Sequence, residues 1–482
     1  MTTPEGTQAL TVSTTQRQQP ALPWEITDAI IDNLHDDVEA LGACGAVCSE
    51  WLVRSRHHMF ATLYLWPWRV AEFFELANSP LCTFTTHAKQ LEIDDLKRRA
   101  RSRSGSKESR KGSPRSCSSH HNTCFEVNTS YDNVDGSYDC GLSFKDTFLV
   151  HHDNPACFSN VESLFIRNVD WTALRTEEQF IIRGRLAKLA TLKRLELHDT
   201  TFHDLREVVR IVDVLPSVRH LTANVNFMKH LEYTIISAAT LTLSKFLQSV
   251  ELGTEDGLPV VLSCITGVTS LERSEPEFVR RLELKHVKPN HHQYVRRLLQ
   301  KSGKNLQHLG ITFTEDTIPR RGQDEISDIL DLSRLGVLRT LRLDGLRVPK
   351  AKYTSVLEEG LATILQRIES SFLDTIHLGF ALGNDADLRH INWRELERVL
   401  LALHFFGLKT VCVVVNILPD VREVTSLSSQ LQTELRLAMP ELANRGVLKV
   451  SANTNRRSTV NRGGWPSVAI EPATYPAHGK TT

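Results

Sequence analysis

A triplet of apolar residues with the spacing i, i+3, i+5 recurs along the chain. Its last two positions are two residues apart, which is the period of a β-strand, so each copy predicts a short strand. The first two copies are Phe60/Leu63/Leu65 and Ala88/Leu91/Ile93, and Leu448/Val450 is a final, incomplete one. The nine copies between them are Val161/Leu164/Ile166, Leu192/Leu195/Leu197, Val218/Leu221/Ala223, Leu247/Val250/Leu252, Val279/Leu282/Leu284, Leu306/Leu309/Ile311, Leu338/Leu341/Leu343, Leu373/Ile376/Leu378 and Leu408/Val411/Val413.

The regular distance between copies predicts a repeat protein. From Leu164 onward the middle positions lie 26 to 37 residues apart, and apolar stripes with helical spacing fill gaps such as 205–215, 357–368 and 396–403. A strand, a turn and a helix repeated at about 30 residues are typical of a solenoid. A single doubly wound sheet would use similar parts, but eleven or twelve strands are many for one open sheet. We therefore predict an α/β strand/helix solenoid.

The segment before the first strand predicts three short helices. Pro23 suits a first helical position, and His35-Asp36-Asp37 should end the first helix, with an Asp available to cap the next. A third helix should span 51–58. The first apolar stripe consists of Ile26, Ile30, Ile31 and Leu34, and the second of Val38, Leu41, Cys44, Val47, Cys48 and Trp51.

This helical segment resembles the F-box motif. The resemblance rests on the opening Leu22-Pro23-x-Glu25-Ile26 and the closing Val47-Cys48-x-x-Trp51, with apolar helical faces between them. The following Arg54-x-Arg56-His57-His58 continues like the F-box-like proteins that are abundant in fungi, in which leucine-rich-type repeats follow the box. The resemblance implies a three-helix F-box followed by a leucine-rich-repeat-like solenoid.

The resemblance also implies a function and a contact surface. An F-box docks on the Skp adaptor of a cullin–RING ubiquitin ligase, and the repeats hold a protein substrate, here of unknown identity. The residues expected to contact the adaptor are Leu22, Pro23, Ile26, Ile30, Leu34, Leu41, Val47, Cys48 and Trp51, some of which must belong to the core in either case. The alternatives are a three-helix cap on the first repeat and a repeat scaffold that binds proteins without any ligase.

The interval between the second and third strands is more than twice the repeat length and predicts a flexible insertion over 96–156. Residues 96–115 carry nine Lys or Arg and one Glu, a net charge of +8. Such a run is a solvated loop, a nuclear-import signal, or a patch that binds nucleic acid or an anionic surface, and its Ser/Arg alternation would suit phosphorylation. The remaining predicted units are a disordered leader (1–20), the F-box-like domain (21–66), a first repeat (67–95), the solenoid (157–452) and a disordered tail (453–482).

Composition narrows the function classes. Lys and Arg together number 57, as do Asp and Glu, so the net charge is zero and a generally basic nucleic-acid binder is disfavoured. No apolar run approaches the ~18 residues of a membrane span, and the first residues do not form a secretory signal. The nine scattered cysteines favour reduced thiols. We expect a protein of the cytoplasm, the nucleus or both, with no membrane contact.

Catalytic motifs are lacking in the sequence. It contains no Gly-x-Ser-x-Gly, no phosphate-binding glycine loop and no His-Glu-x-x-His, so we expect no enzyme, no cofactor and no metal. The one metal-like cluster, Cys117, His120, His121 and Cys124, crowds onto a short Ser-rich loop, whereas structural zinc usually joins two separated ligand pairs. The pair His291-His292 should be solvated.

Overall fold

A computed structural model describes residues 23–65, 84–95, 158–228, 247–253, 279–288, 291–314, 330–347, 354–382, 391–402, 406–417 and 424–454, with a few residues between 73 and 82. The leader, the whole predicted insertion, Leu22 and the Cys117 to Cys124 cluster lie outside these residues. The predicted tail does too, except for residues 453 and 454, which belong to the last strand. Within the described residues no helix is long and apolar enough to cross a membrane.

Helices and strands alternate through most of the described chain. The helices are α1 Trp24–Asn33, α2 Val38–Gly45, α3 Ser49–Met59, α4 Thr176–Leu186, α5 Leu205–Asp213, α6 His292–Ser302, α7 Thr354–Gln366, α8 Trp393–Leu400, α9 Val424–Ala438 and α10 Pro440–Asn444. The strands are β1 Thr62–Leu65, β2 Gln90–Asp94, β3 Ser163–Arg167, β4 Arg194–Phe202, β5 His220–Phe227, β6 Ser249–Leu252, β7 Arg281–Val287, β8 His308–Phe313, β9 Thr340–Arg347, β10 Thr375–Leu382, β11 Thr410–Ile417 and β12 Leu448–Thr454.

The twelve strands form one parallel sheet in which spatial order equals chain order, from β1 to β12. A doubly wound sheet would reverse direction at a switch point, so this order is that of a repeat. The pairing also keeps the predicted triplets in register. Leu63 pairs with Leu91, Leu91 with Leu164, and the same column continues to Val411 and Leu448.

The apolar column forms the core because alternate strand residues point to opposite sides of the sheet. Leu195, Leu282 and Ile376 have no exposed surface, and the helical stripes supply the other side of the core through residues such as Val212 and Leu365. The stripes at 205–215, 357–368 and 396–403 are confirmed as α5, α7 and α8. The chain is thus an α/β protein with a repeat-like parallel sheet.

A left-handed residue recurs at one position of the repeat. Asn168, Asp199, His286 and Gly345 each lie two residues after the last apolar position of their triplet and have φ between 50° and 72°. In β4, β7 and β9 the strand pairing shifts at this point, as a β-bulge requires. The extra residue turns the next side chain to the core side of the sheet. Accordingly Thr200, Val287 and Leu346, which directly follow it, are buried.

Three local expectations need correction. The second helical stripe does not continue to Trp51: α2 ends at Gly45, and Val47 and Cys48 lie in the turn before α3. Pro23 occupies the N-cap of α1, where its carbonyl accepts from the Ile26 and Thr27 N–H groups at 3.0 and 3.2 Å. His291 is buried and not solvated, since its Nδ1 accepts from the Lys288 N–H at 3.1 Å.

Candidate functional site

The three N-terminal helices pack around a small core. Ile31 of α1 and Leu41 of α2 have no exposed surface, and neither does Ser55 of α3. Gly45 lies against α3, where a Cβ would come within 3.2 Å of Leu52 Cδ1, so a small residue suits this crossing. Asp37 caps α2 by accepting from the Ala40 N–H at 2.9 Å, as the sequence predicts.

A polar cluster joins α1 to α3. Asp32 accepts from Arg54 Nε and Nη2 at 2.7 and 2.6 Å, and the His58 ring lies 2.7 Å from the same carboxylate. The hydrogen bonds from Arg54 and then His58 hold the pKa of Asp32 well below its usual range. The bidentate geometry fixes the orientation of α1 on α3.

The module continues directly into the sheet. The Lys89 and Gln90 N–H groups both donate to the carbonyl of Ala61, which follows α3, at 2.9 Å. Phe60 packs on Phe84 with ring centroids 5.1 Å apart, and His57 meets His87 at 5.7 Å. The β1 strand thus begins at the end of α3, so the module and the first repeat share a boundary.

Large apolar side chains remain exposed on this small module. Ile26 and Ile30 of α1 are 49% and 41% exposed, and Val47 in the α2–α3 turn is 63% exposed. Residues four apart lie on one helix face, so Ile26 and Ile30 form a continuous apolar strip beside the buried Thr27 and Ile31. The apolar side chains of α1 extend beyond the side that packs on α3. The strip of Ile26 and Ile30 therefore remains accessible to a partner.

The predicted contact residues divide into accessible and inaccessible ones. Pro23 and Cys48 are exposed with the three residues above, whereas Leu34 and Trp51 are half-buried. Leu41 is fully buried and belongs to the core. Two exposed residues are absent from the predicted set, Trp24 and Val53, at 70% and 63%. The apolar spacing of the sequence does not predict their exposure, because Trp24 lies outside the apolar stripe of α1 and Val53 outside that of α3.

The polar side of the sheet is the second candidate surface. Ion pairs run across neighbouring strands and along single strands: Arg167 contacts Glu92 at 2.9 Å, Arg194 contacts Glu196 at 3.1 Å, and Lys285 contacts Glu251. Arg342 and Glu283 lie on this side within their strands, whereas Arg339 and Arg280 lie just before theirs. Polar strand faces occur on any solvated sheet, so the pattern alone does not specify a ligand.

Comparison with known proteins gives only distant likenesses. No family model and no curated protein matches the chain. Similar solved structures include the crystal structure of a Bacteroides fragilis protein, with a TM-score of 0.31 and 14% identity over 64% of this chain and 68% of that chain. The crystal structure of the Rad7 and Elc1 complex in yeast has a TM-score of 0.32 and 9% identity over 85% of both chains. These TM-scores are too low to carry an inference. The class defined by the chain's own fold is a parallel-sheet repeat protein with an N-terminal helical module.

Proposed function

We propose that this chain is the substrate-recognition subunit of an SCF-type cullin–RING ubiquitin ligase. In this proposal α1 to α3 are an F-box that docks on the Skp adaptor, and the leucine-rich-repeat-like sheet holds a protein client. The chain itself is not an enzyme, because ubiquitin transfer belongs to its partners.

Exposed apolar side chains of the helical module carry the proposal. Five large apolar side chains between residues 24 and 53 are 41% to 70% exposed, namely Trp24, Ile26, Ile30, Val47 and Val53. Three of them are residues at which the F-box resemblance expects adaptor contacts. A segment that served only to cap the first repeat would turn these side chains towards the sheet, since burial of a Val, Leu or Ile side chain is worth about 1.5–3 kcal/mol.

The direct test is the affinity of the full chain for a purified Skp adaptor, measured by biolayer interferometry. The variant Ile26→Ser, Ile30→Ser removes the strip from α1. The matched control is Phe180→Ser, Ile181→Ser on α4, where the two side chains are 72% and 40% exposed. Circular dichroism establishes that each variant remains folded.

The expected result is micromolar or tighter binding by the wild type and the control. The α1 variant should bind more than about tenfold more weakly, because a central interface anchor is worth about 2 kcal/mol or more. If the folded wild type does not bind the adaptor, the receptor function is wrong, and the chain is a ligase-independent repeat scaffold. Unchanged affinity of the α1 variant would place the contact elsewhere, and equal loss in both variants would show that the effect is not specific to α1.

A further inference from the structure

One edge of the sheet carries a continuous ridge of residues, each immediately preceding a strand. We call it the pre-strand ridge, and it consists of Lys89, Glu162, Lys193, Arg219, Gln248, Arg280, Gln307, Arg339, Asp374 and Lys409. Each residue after the first donates its backbone N–H to the carbonyl of the one before it, at 2.7–2.9 Å. The ridge is thus an uninterrupted ladder from β2 to β11.

The ridge is basic, and its positive charge has the fewest carboxylate partners between Arg219 and Lys409, the residues that precede β5 and β11. Lys89 and Lys193 share Glu162, at 3.6 and 2.9 Å. Further along, Arg219, Arg280, Arg339 and Lys409 are exposed, and none of the four forms an ion pair with a carboxylate among the described residues. Asp374 is the one acidic ridge residue in this part, which leaves a net charge of +3.

These four cations, which have no carboxylate partner among the described residues, recur on every second strand, and Arg339 also lies over the Phe372 ring at 6.0 Å. They precede β5, β7, β9 and β11, and Gln248, Gln307 and Asp374 precede the strands between. Neighbouring strands lie about 4.8 Å apart, so the cations are spaced at about 9.6 Å. An extended polyproline-II segment has three residues per turn and advances about 9.3 Å per turn. Every third side chain of such a segment could therefore meet a ridge cation.

The surroundings of the ridge favour a narrow anionic ligand. His220 and His308 follow Arg219 and Gln307, and burial together with nearby arginines lowers the pKa of both imidazoles, which disfavours their charged form. Two residues further along the strands, β4, β6 and β7 carry the carboxylates Glu196, Glu251 and Glu283, whereas the same position on β8 to β11 holds Gly310, Arg342, His377 and Cys412. A duplex nucleic acid broad enough to cover the β4 to β7 part would bring phosphates onto these carboxylates, whereas a single extended polypeptide can follow the edge alone.

We propose that the pre-strand ridge binds an extended acidic polypeptide segment whose carboxylates recur at every third residue. The ridge lies outside the helical module, so its binding does not depend on adaptor docking, and failure of one proposal leaves the other standing. If the chain is a ligase receptor, the ridge defines the chemical class of its client.

The test uses fluorescence anisotropy of the full chain with two labelled twelve-residue peptides of identical composition. One peptide repeats Glu-Ala-Pro four times, and the other groups its four Glu residues together. The ridge variant is Arg219→Gln, Arg280→Gln, Arg339→Gln. The matched control is Arg206→Gln, Arg210→Gln, Arg297→Gln, three exposed residues of α5 and α6 that remove the same charge.

The wild type should bind the period-three peptide more tightly than its isomer, and binding should weaken with salt. The ridge variant should lose about tenfold in affinity while the control changes by less than about twofold. The basic run at 97–111 is common to all three proteins, so it cannot produce this difference. The proposal is overturned if the wild type does not bind at low salt, if the isomers bind equally, or if both variants lose equally. Tighter, ridge-dependent binding of a single-stranded or duplex oligonucleotide would assign the ridge to nucleic acid instead.

Discussion

Replacement of Gly345 by alanine should destabilise the sheet at the junction of β8 and β9. Gly345 has φ +72°, and a Cβ built there would lie 2.3 Å from the backbone carbonyl oxygen of Phe313. The left-handed conformation costs an L-residue about 1–2 kcal/mol, and relief of the contact requires β8 to move, since a backbone oxygen cannot rotate away. We expect a total loss of at least about 2 kcal/mol.

Gly336 provides the matched control for this substitution. It lies in the turn before β9, has no positive φ, and has no atom within 4 Å of a built Cβ. Gly336→Ala should leave the protein as stable or up to about 1 kcal/mol more stable, because alanine restricts the unfolded chain.

The assay is equilibrium urea unfolding, with local opening read from amide hydrogen exchange. Gly345→Ala should lower the urea midpoint and reduce protection of β8 and β9 before it affects β3 and β4, since repeats contact mainly their neighbours. Equal midpoints for the two glycine variants would refute the bulge geometry at Gly345, and with it the register shift between β9 and β10.

Two further predictions concern the helical module. Ile31→Ala should cost about 2–5 kcal/mol of stability because the side chain is fully buried. The neighbouring substitution Ile30→Ala should cost about 1 kcal/mol or less, since Ile30 is 41% exposed. Equal losses of stability in thermal unfolding would contradict the packing of α1. The lowered pKa of Asp32 means that its bonds to Arg54 and His58 stabilise the folded state above the unfolded pKa of about 4 and are lost as pH falls further. The protection factors of the α1 amides, which correct for the intrinsic pH dependence of exchange, should therefore fall below about pH 4 in the wild type. Asp32→Asn should be less protected at neutral pH and should lose less protection in acid, and equal pH profiles of the protection factors would exclude this role.

The sequence predicts the repeats well because their signal is long-range and redundant. Each triplet alone is common in a chain with 41% apolar residues, but twelve copies in order leave few topologies. All twelve become parallel strands, and equivalent triplet positions such as Leu63, Leu91 and Leu164 pair with one another. Apolar periodicity specifies which side chains are buried, and burial sets the register.

Local backbone conformation is the part that periodicity does not predict. The left-handed residues Asn168, Asp199 and His286 have side chains that tolerate positive φ, yet nothing in the apolar pattern indicates a left-handed residue after these triplets, or the bulges in β4 and β7. The break between α2 and α3 is similar, since Val47 continues the helical stripe while its N–H bonds to the Cys44 carbonyl three residues back, in a turn. Its exposure, which makes it a candidate contact, depends on that turn.

Sequence also leaves the choice of surface open. The F-box resemblance implies adaptor contacts for both Leu41 and Ile30, but only the packing of three helices shows that the first is fully buried and the second 41% exposed. The pre-strand ridge is likewise unrecognisable in sequence, because Arg219 and Arg339 lie 120 residues apart and are related only by the stacking of strands.

Hydrogen exchange of the full chain with and without a purified Skp adaptor tests the central proposal most directly. If α1 to α3 form an F-box, the adaptor should protect amides of α1 and of the α2–α3 turn, around Ile26, Ile30 and Val47, and should leave β4 to β11 unchanged. Protection confined to the sheet, or no protection at saturating adaptor, would contradict docking through the helical module.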